Sequence, residues 1–376
     1  MDQSQGAARG MGGPPNWMIA AAALAVWAIP FFMVVPGDYT NWLLPWYEHI
    51  VHAGPVAAFA HPFSNYSPPY LYLLSLSTLL PLPPLMAVKL VAVVGGLWLV
   101  YAVYRLAGTQ AAAFSLFLPT VIINVPVLAQ ADSFWVAPCV LAVCAALRRD
   151  TLWTAVWAGV GFAFKAQAIF IAPFVLGTIM RAPLRHWLAP VGVYLAAMLP
   201  AWLAGWPTWD LAMVYIRQER WAPPGASAFV STAPNLWAVL RLDHEWAATH
   251  FWIGFLLAGL ATLVYLRWFK RFHLVAGAAL SAAMLPFLLP GMHERFFALA
   301  EVLTFCIAWR TERFAIAAMM QTALIVAIAA IELNSYFVLV LGACIELWAI
   351  ALLTKRAVRP RGDCTDRRVA LNRAST

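Results

Sequence analysis

The chain has 376 residues, 63% of them hydrophobic and 11% charged, whereas a soluble domain is nearer about 45–50% apolar and roughly 25% charged, so the composition excludes an ordinary soluble enzyme. The formal charge of +8 does not indicate a nucleic-acid partner, because Lys and Arg fall in short clusters between apolar runs: Arg148-Arg149, Arg181 with Arg185, Arg267-Lys270-Arg271, Arg310 with Arg313, and the tail from Lys355. Clusters at the ends of apolar runs are the positive-inside signature of a multi-span membrane protein.

In chain order, residues 1–16 are polar, Gly-rich and expected to be disordered. The apolar run 17–35 is longer than the roughly 7–15 residues of a signal-peptide core, so it reads as a retained first helix. Further apolar runs are 69–81, 85–105, 110–128, 133–147, 151–180, 187–204, 249–267, 272–290, 295–309, 314–332 and 335–353. A span takes about 20 residues, fewer where it is short or broken. Placing every basic cluster on the cytoplasmic side decides two of these runs. If 69–81 crossed the membrane, Arg105 and Arg148-Arg149 would fall outside, so 36–84 is expected to be one large external loop with helices lying in the interface. The run 151–180 carries Lys165 at its middle, and a single span would put Arg181 and Arg185 outside. Two short half-helices, 151–164 and 166–180, restore the parity. They also place Lys165 at an external turn, away from mid-membrane, where a lysine costs about 2.5–3.5 kcal/mol.

The expected fold is therefore an all-α polytopic bundle of about twelve crossings, including the two half-helices. It occupies 17–354 as one domain, with external loops 36–84 and 205–248 and a basic cytoplasmic tail at 355–376. Both termini are expected in the cytoplasm. The five cysteines, Cys139, Cys144, Cys306, Cys344 and Cys364, have no metal-type spacing, and four of them sit in apolar runs, as small core hydrophobes do.

Chemistry-bearing residues collect on the external side: Asp38, Glu48, Asn65 and Tyr66 in the first loop, Gln130 and Asp132 in a turn, Lys165 and Gln167 at the break, Asn235 and Trp237 in the long loop, and His293, Glu294 and Arg295 in a late turn. Each has a plainer alternative. Asp38 suits a helix-start acid as well as a reacting group. Gln130-Ala131-Asp132 suits an N-cap for the following helix. Lys165 is harder to set aside, since an ionisable residue in an apolar run is a functional hypothesis by default. Glu48 reads as a solvated acid, and most of the external tryptophans as interfacial belt residues. Together these residues outline an outward-facing amphipathic cavity, with a carboxylate able to deprotonate a hydroxyl and with cations suited to a lipid-linked phosphate.

Several segments, in order, resemble multispanning GT-C glycosyltransferases: GDYTNW at 37–42, FSNYSPPYLYLL at 63–74, AQADSFW at 129–135, FKAQAIFIAP at 164–173, APNLW at 233–237 and PGMHERFF at 290–297. The set is similar to bacterial mannosyltransferase-like proteins related to the GPI-anchor mannosyltransferases, and to the glucosyltransferases that extend the N-glycan lipid precursor. The resemblance covers about residues 17 to 310. It implies an inverting transferase that moves a mannose- or glucose-type hexose from a polyprenyl-phosphate donor to a hydroxyl of a glycan or lipid-linked acceptor. The site would face the periplasmic side of the inner membrane. It also implies Asp38 as catalytic base; Lys165, His293 and Arg295 at the donor phosphate; Glu294, Gln130, Asp132, Gln167, Asn65 and Tyr66 in support; and Asn235 and Trp237 in an acceptor loop. No cofactor is called for, and a divalent metal stays open. Two departures stand out. The family's Trp-Gly-Gln-x-Asp pattern is Leu128-Ala129-Gln130-Ala131-Asp132 here, and the Gln that follows Lys165 comes two positions on. The rival readings are a lipid-linked sugar flippase and a non-catalytic subunit of a glycan-assembly complex.

Overall fold

The computed structural model describes residues 15–216, 232–240 and 247–358. The N-terminal extension before residue 15, the loop residues 217–231 and 241–246, and the tail from 359 with Cys364 lie outside the described residues. Helix α1 (Asn16–Met33) is followed by a π-helical turn, Tyr39–Leu43, that runs into α2 (Leu44–Ala53). Next come α3 (Pro68–Ser77) and α4 (Pro84–Ala107). Helices α2, α3 and α4 each carry a proline in the first turn, where its missing N–H would have no partner anyway.

The run 110–128, expected as one span, is broken into α5 (Thr109–Ser115) and α6 (Pro119–Ile122), the latter continued by a π-helical turn, Ile123–Val127; the two parts are bent by 57°. Pro119 explains the break, because a residue before proline is pushed toward extended backbone and Leu118 adopts it. Helix α7 (Asp132–Leu147) follows, then α8 (Thr151–Phe164), whose first turn is capped by Asp150 accepting from the Trp153 amide at 3.0 Å. Lys165 is extended (φ −157°, ψ 137°) and separates α8 from a 3-10 turn, Ala166–Ile171, and α9 (Ala172–Ile179). The expected interruption at Lys165 is therefore present. The remaining helices are α10 (Leu184–Leu203), α11 (Thr208–Ala212), α12 (Leu236–Leu240), α13 (Ala247–Trp268), α14 (Leu274–Leu288), α15 (Ala298–Thr311), α16 (Ala315–Glu332) and α17 (Tyr336–Ala357).

Helices α7, α14 and α15 form the centre and are buried on nearly every side. Gly161 allows α8 to approach α7 closely, since a Cβ there would meet Trp135 O and Cys139 Sγ at 3.1 Å. By contrast α10 and α13 present long apolar faces outward, through Leu188, Leu195 and Leu199 on the one and Trp252, Leu256, Leu260 and Leu263 on the other. Such faces are stable against lipid, and the chain is an integral membrane protein. Among the described residues, five helices are long and apolar enough to cross a bilayer, or six if the bent pair α5–α6 is one span. The remaining apolar segments are shorter helices, so a count of twelve crossings does not follow from helix length.

Helix α3, expected to lie in the interface, is packed against the bundle, with Tyr70, Leu71 and Leu74 fully buried. Its Tyr72 hydroxyl donates to Ala197 O (3.2 Å) and accepts from the Ala201 amide (2.9 Å), filling the helix bond that opens beside Pro200. The basic clusters sit at the other end of the bundle from Lys165. Helices α7 and α15 run away from it to end at Arg148 and Arg310, and these two arginines and Arg105 gather around Cys144. Lys355 and Arg356, expected to open the tail, belong to the last turn of α17. That turn is tied to the α13–α14 connection by a hydrogen bond from the His273 amide to Ala357 O (2.9 Å) and by a bridge between Phe272 and Val358.

Candidate active site

Six separated stretches meet at one end of the bundle. The first begins where α1 ends. Lys89, fully buried on α4, donates to Pro30 O (2.6 Å), Phe31 O (3.0 Å) and Val34 O (2.6 Å), and so closes the last turn of α1 with a cation. The chain then turns at Pro36-Gly37 and presents Asp38 at the start of the π-helical turn. Asp38 makes no capping bond. Its Oδ2 instead accepts from Gln130 Nε2 at 2.6 Å and lies 3.4 Å from Arg295. The helix-start reading of Asp38 is thereby replaced by a tertiary one. The side chain is 37% exposed, and both contacts fall on Oδ2. Oδ1 takes no hydrogen bond among the described residues.

The second stretch is the turn between the π-helical segment and α7. Ala129 stands in the left-handed region, with φ 54°, fully buried. This is the position at which the glycosyltransferase pattern has glycine, and the turn keeps a glycine-type backbone although the residue has changed. Gln130 N donates back to Asn124 O at 2.7 Å, which aims the Gln130 side chain out of the turn. Tyr66, from the first loop, donates its hydroxyl to Gln130 Oε1 (3.3 Å) and so orients the amide with its NH2 toward Asp38. Burial raises the Tyr66 hydroxyl well above its ordinary value, so it stays a donor. Asn65 is half-buried beside it.

Asp132 is 1% exposed and does not cap α7 through the expected N-cap geometry. Its Oδ1 accepts from Lys165 Nζ (2.9 Å) and Trp135 Nε1 (2.8 Å), while Oδ2 faces Arg295 Nε at 3.6 Å. Lys165 is 5% exposed and lies over the Tyr66 and Phe296 rings at 5.3 and 5.7 Å. Burial pulls Lys165 below the usual lysine value, and Asp132 opposes that pull. The interruption that frees Lys165 is held open from outside. Ser67 donates to Ala163 O (2.7 Å) and Phe164 O (2.9 Å), and Tyr215 to Phe162 O, so the last carbonyls of α8 have partners. Gln167 is half-buried, and its Oε1 is without a hydrogen-bond partner among the described residues.

The last stretch is the α14–α15 turn. Gly291 (φ 69°) reverses the chain, and Glu294–Phe297 forms a 3-10 turn leading into α15. Arg295, 15% exposed, reaches Asp38, Asp132 and, at 3.7 Å, Glu294. Burial would lower Arg295, but those three carboxylates more than offset it and hold the guanidinium above its ordinary value. Glu294 Oε2 accepts from Thr232 (2.7 Å), whose hydroxyl also pairs with His293 Nδ1 at 3.1 Å. His293 is exposed, yet partial burial and the Arg295 charge hold it below the usual histidine value, against the pull of Glu294.

Tyr66, Gln130, Asp38, Arg295, Asp132 and Lys165 thus form one continuous network, with Glu294, Thr232 and His293 joined through Arg295. Asn235 and Trp237, expected in an acceptor loop, are held against the end of α14. Asn235 is fully buried, donates to Pro286 O and Leu289 O and accepts from the Trp237 and Ala238 amides; Trp237 donates to Leu288 O. They latch the segment before α12 onto the end of α14, which carries Thr232 to the Glu294 turn. Glu48 is exposed, as expected for a solvated acid. Lys89, Trp135, Ser67 and Thr232 are members or supports of the site that the sequence reading did not single out. The signal for Lys89 was present, as a lysine a few residues inside an apolar run.

No family model matches the sequence, and no curated protein matches it. Among solved structures, the chain is similar to the crystal structure of ArnT from Cupriavidus metallidurans bound to undecaprenyl phosphate. The TM-score is 0.52 at 14% identity, over 90% of this chain and 77% of that one. At that identity the likeness establishes the fold. The bundle shares its fold with that protein.

Proposed function

We propose that the chain is a GT-C-type glycosyltransferase that moves a mannose- or glucose-type hexose from a polyprenyl-phosphate donor to an acceptor hydroxyl, with inversion at the anomeric carbon. The observation that carries the reading is Asp38: a half-exposed carboxylate anchored through one oxygen by Gln130 and Arg295, with its other oxygen open. The likeness to a protein crystallised with undecaprenyl phosphate supports the donor class. The site is taken to face the periplasm, with both termini in the cytoplasm, because the basic clusters lie at the opposite end of the bundle.

In the reaction, Asp38 Oδ1 accepts the proton of the acceptor hydroxyl. The hydroxyl oxygen forms its bond to the anomeric carbon from the face opposite the phosphate. The bond from that carbon to the phosphate oxygen breaks, and negative charge grows on the departing polyprenyl phosphate. Arg295 and His293, which are less buried than Lys165, are the cations and donors placed to receive that charge, and stabilisation of this kind is usually the largest catalytic contribution. Lys165 is occupied by Asp132, so we place it behind them, where it holds Asp132 and through Asp132 the guanidinium. Glu294 and Thr232 orient His293. Tyr66 and Gln130 orient Asp38.

The test uses proteoliposomes loaded with undecaprenyl-phosphate mannose or glucose and a panel of glycan and lipid-linked acceptors, read by mass spectrometry. The reading expects a product heavier than the acceptor by one hexose, together with free undecaprenyl phosphate. Movement of the donor between leaflets with no such product would assign the chain to transport instead.

A further inference from the structure

At the end of the bundle away from the candidate site, the start of α16 and the last turns of α17 border an open, shallow surface cavity of about 410 Å³ lined by Arg313, Ala315, Ile316, Leu352, Lys355 and Arg356. Half of this lining is cationic and half apolar, and it contains no carboxylate. None of the three cations has an ion pair among the described residues; Arg356 is turned onto the Thr311 hydroxyl. The acid nearest in sequence, Glu312, is outside the lining, on a left-handed turn residue with φ 56°. Three like charges around one cavity repel each other unless an anion sits between them. The amides of the first turn of α16 add donors, since the residue before that helix, Phe314, makes no side-chain cap.

The apolar half of the cavity points to the kind of anion. Ile316 and Leu352 continue into exposed apolar surface at Phe314 and Trp348, which are 45% and 63% exposed. A free phosphate ion would use the cations and leave the aliphatic wall wet, whereas a phospholipid uses both. The cavity also lies at a helix end, where a headgroup would be in the membrane. We infer that this cavity binds the phosphodiester headgroup of an anionic phospholipid, with the phosphate among Arg313, Lys355 and Arg356 and the acyl chains along Ile316 and Leu352. The lipid then joins the α15–α16 turn to the end of α17. This site is separate from the transfer site and does not depend on the reaction proposed for it.

The test is native mass spectrometry of the full chain in non-ionic detergent, titrated with phosphatidylglycerol or phosphatidylcholine. Three proteins are compared: wild type, Arg313→Gln/Lys355→Gln, and Arg148→Gln/Arg149→Gln as a control in another basic cluster at the same end. Arg313 and Lys355 are exposed, so their variants keep the packing. Wild type should retain phosphatidylglycerol over phosphatidylcholine. The Arg313→Gln/Lys355→Gln protein should lose roughly 5- to 30-fold of that affinity, as two near-surface cations contribute, while the control changes by less than about twofold. Glycerol 3-phosphate should not displace the lipid. An equal loss in both variants would mean diffuse surface attraction, and full displacement by glycerol 3-phosphate would mean a soluble-phosphate site. Either result, or no loss in the first variant, overturns the inference.

Discussion

Asp132→Asn separates the two roles that Asp132 holds, because it keeps the shape of the side chain and removes only its charge. Asp132 is shared by two cations, Lys165 at 2.9 Å and Arg295 at 3.6 Å, whereas Lys165 has Asp132 as its single ion-pair partner among the described residues. The two partners are therefore not equivalent. Asp132→Asn leaves a lysine 5% exposed with no carboxylate, and breaking a buried pair in that way costs about 3–5 kcal/mol. Lys165→Met leaves Asp132 still facing Arg295 and still accepting from Trp135, so its cost should be smaller, about 1–3 kcal/mol. With roughly 2.1 cal/mol/K of unfolding entropy per residue over 376 residues, 1 kcal/mol corresponds to about 1.3 °C. Asp132→Asn should then lower the apparent Tm by about 4–6 °C and Lys165→Met by about 1–4 °C. The double variant should cost less than the two single variants added together. The assay is thermal unfolding in detergent at one fixed scan rate, because unfolding of such a protein is not reversible. A larger loss for Lys165→Met than for Asp132→Asn, or strictly additive losses, would refute the shared-carboxylate geometry.

Three further outcomes are expected. Lys89→Met removes three donors from the end of α1 and should cost about 2 kcal/mol; hexose transfer should fall at least tenfold in the intact protein, because the turn carrying Asp38 loses its anchor, and unchanged turnover would contradict that. Ala129→Gly relieves the left-handed alanine at φ 54° and should stabilise the fold by about 0.5–1 kcal/mol, the strain removed less the added chain entropy, read as a higher apparent Tm with transfer retained. His293 is held below its ordinary value, so the unfolded chain takes up a proton before the folded one. Stability is then complete above about pH 6.5 and declines as pH falls toward the folded value. His293→Asn should flatten that decline relative to wild type, and identical pH profiles would remove His293 as its source.

Most of the helical architecture can be read from uninterrupted apolar runs, because a span needs length and hydrophobicity before it needs any particular residue. The interruption at Lys165 was legible for the same reason, since a lysine at mid-run is costly in lipid. The fold of 110–128 was not: composition alone does not register that Pro119 pushes Leu118 to extended backbone. The docking of α3 is not legible in sequence, because Tyr72 is an ordinary aromatic there and its bond into the gap beside Pro200 exists only once α10 is folded. At the site, Asp38, His293 and Arg295 stood out as ionisable residues at the ends of apolar runs, and Lys165 as one within a run. Their pairing did not, because it spans more than 250 positions of the chain, from 38 to 295. Sequence spacing also cannot tell a free cation from a neutralised one. Lys165, expected at a donor phosphate, is found paired with Asp132; the pairing leaves that expectation untested. Asn235 and Trp237, expected at an acceptor, also bond the end of α14, which spacing does not show.

The most direct measurement compares wild type and Asp38→Asn in the same preparation, following hexose transfer from undecaprenyl-phosphate hexose by mass spectrometry and donor binding by calorimetry. Loss of the general base should reduce turnover by about 10²–10⁴-fold, with the donor dissociation constant unchanged within about threefold, since Arg295 and His293 remain. Turnover of the variant within a few-fold of wild type would contradict the assignment of Asp38 as the group that takes the acceptor's proton.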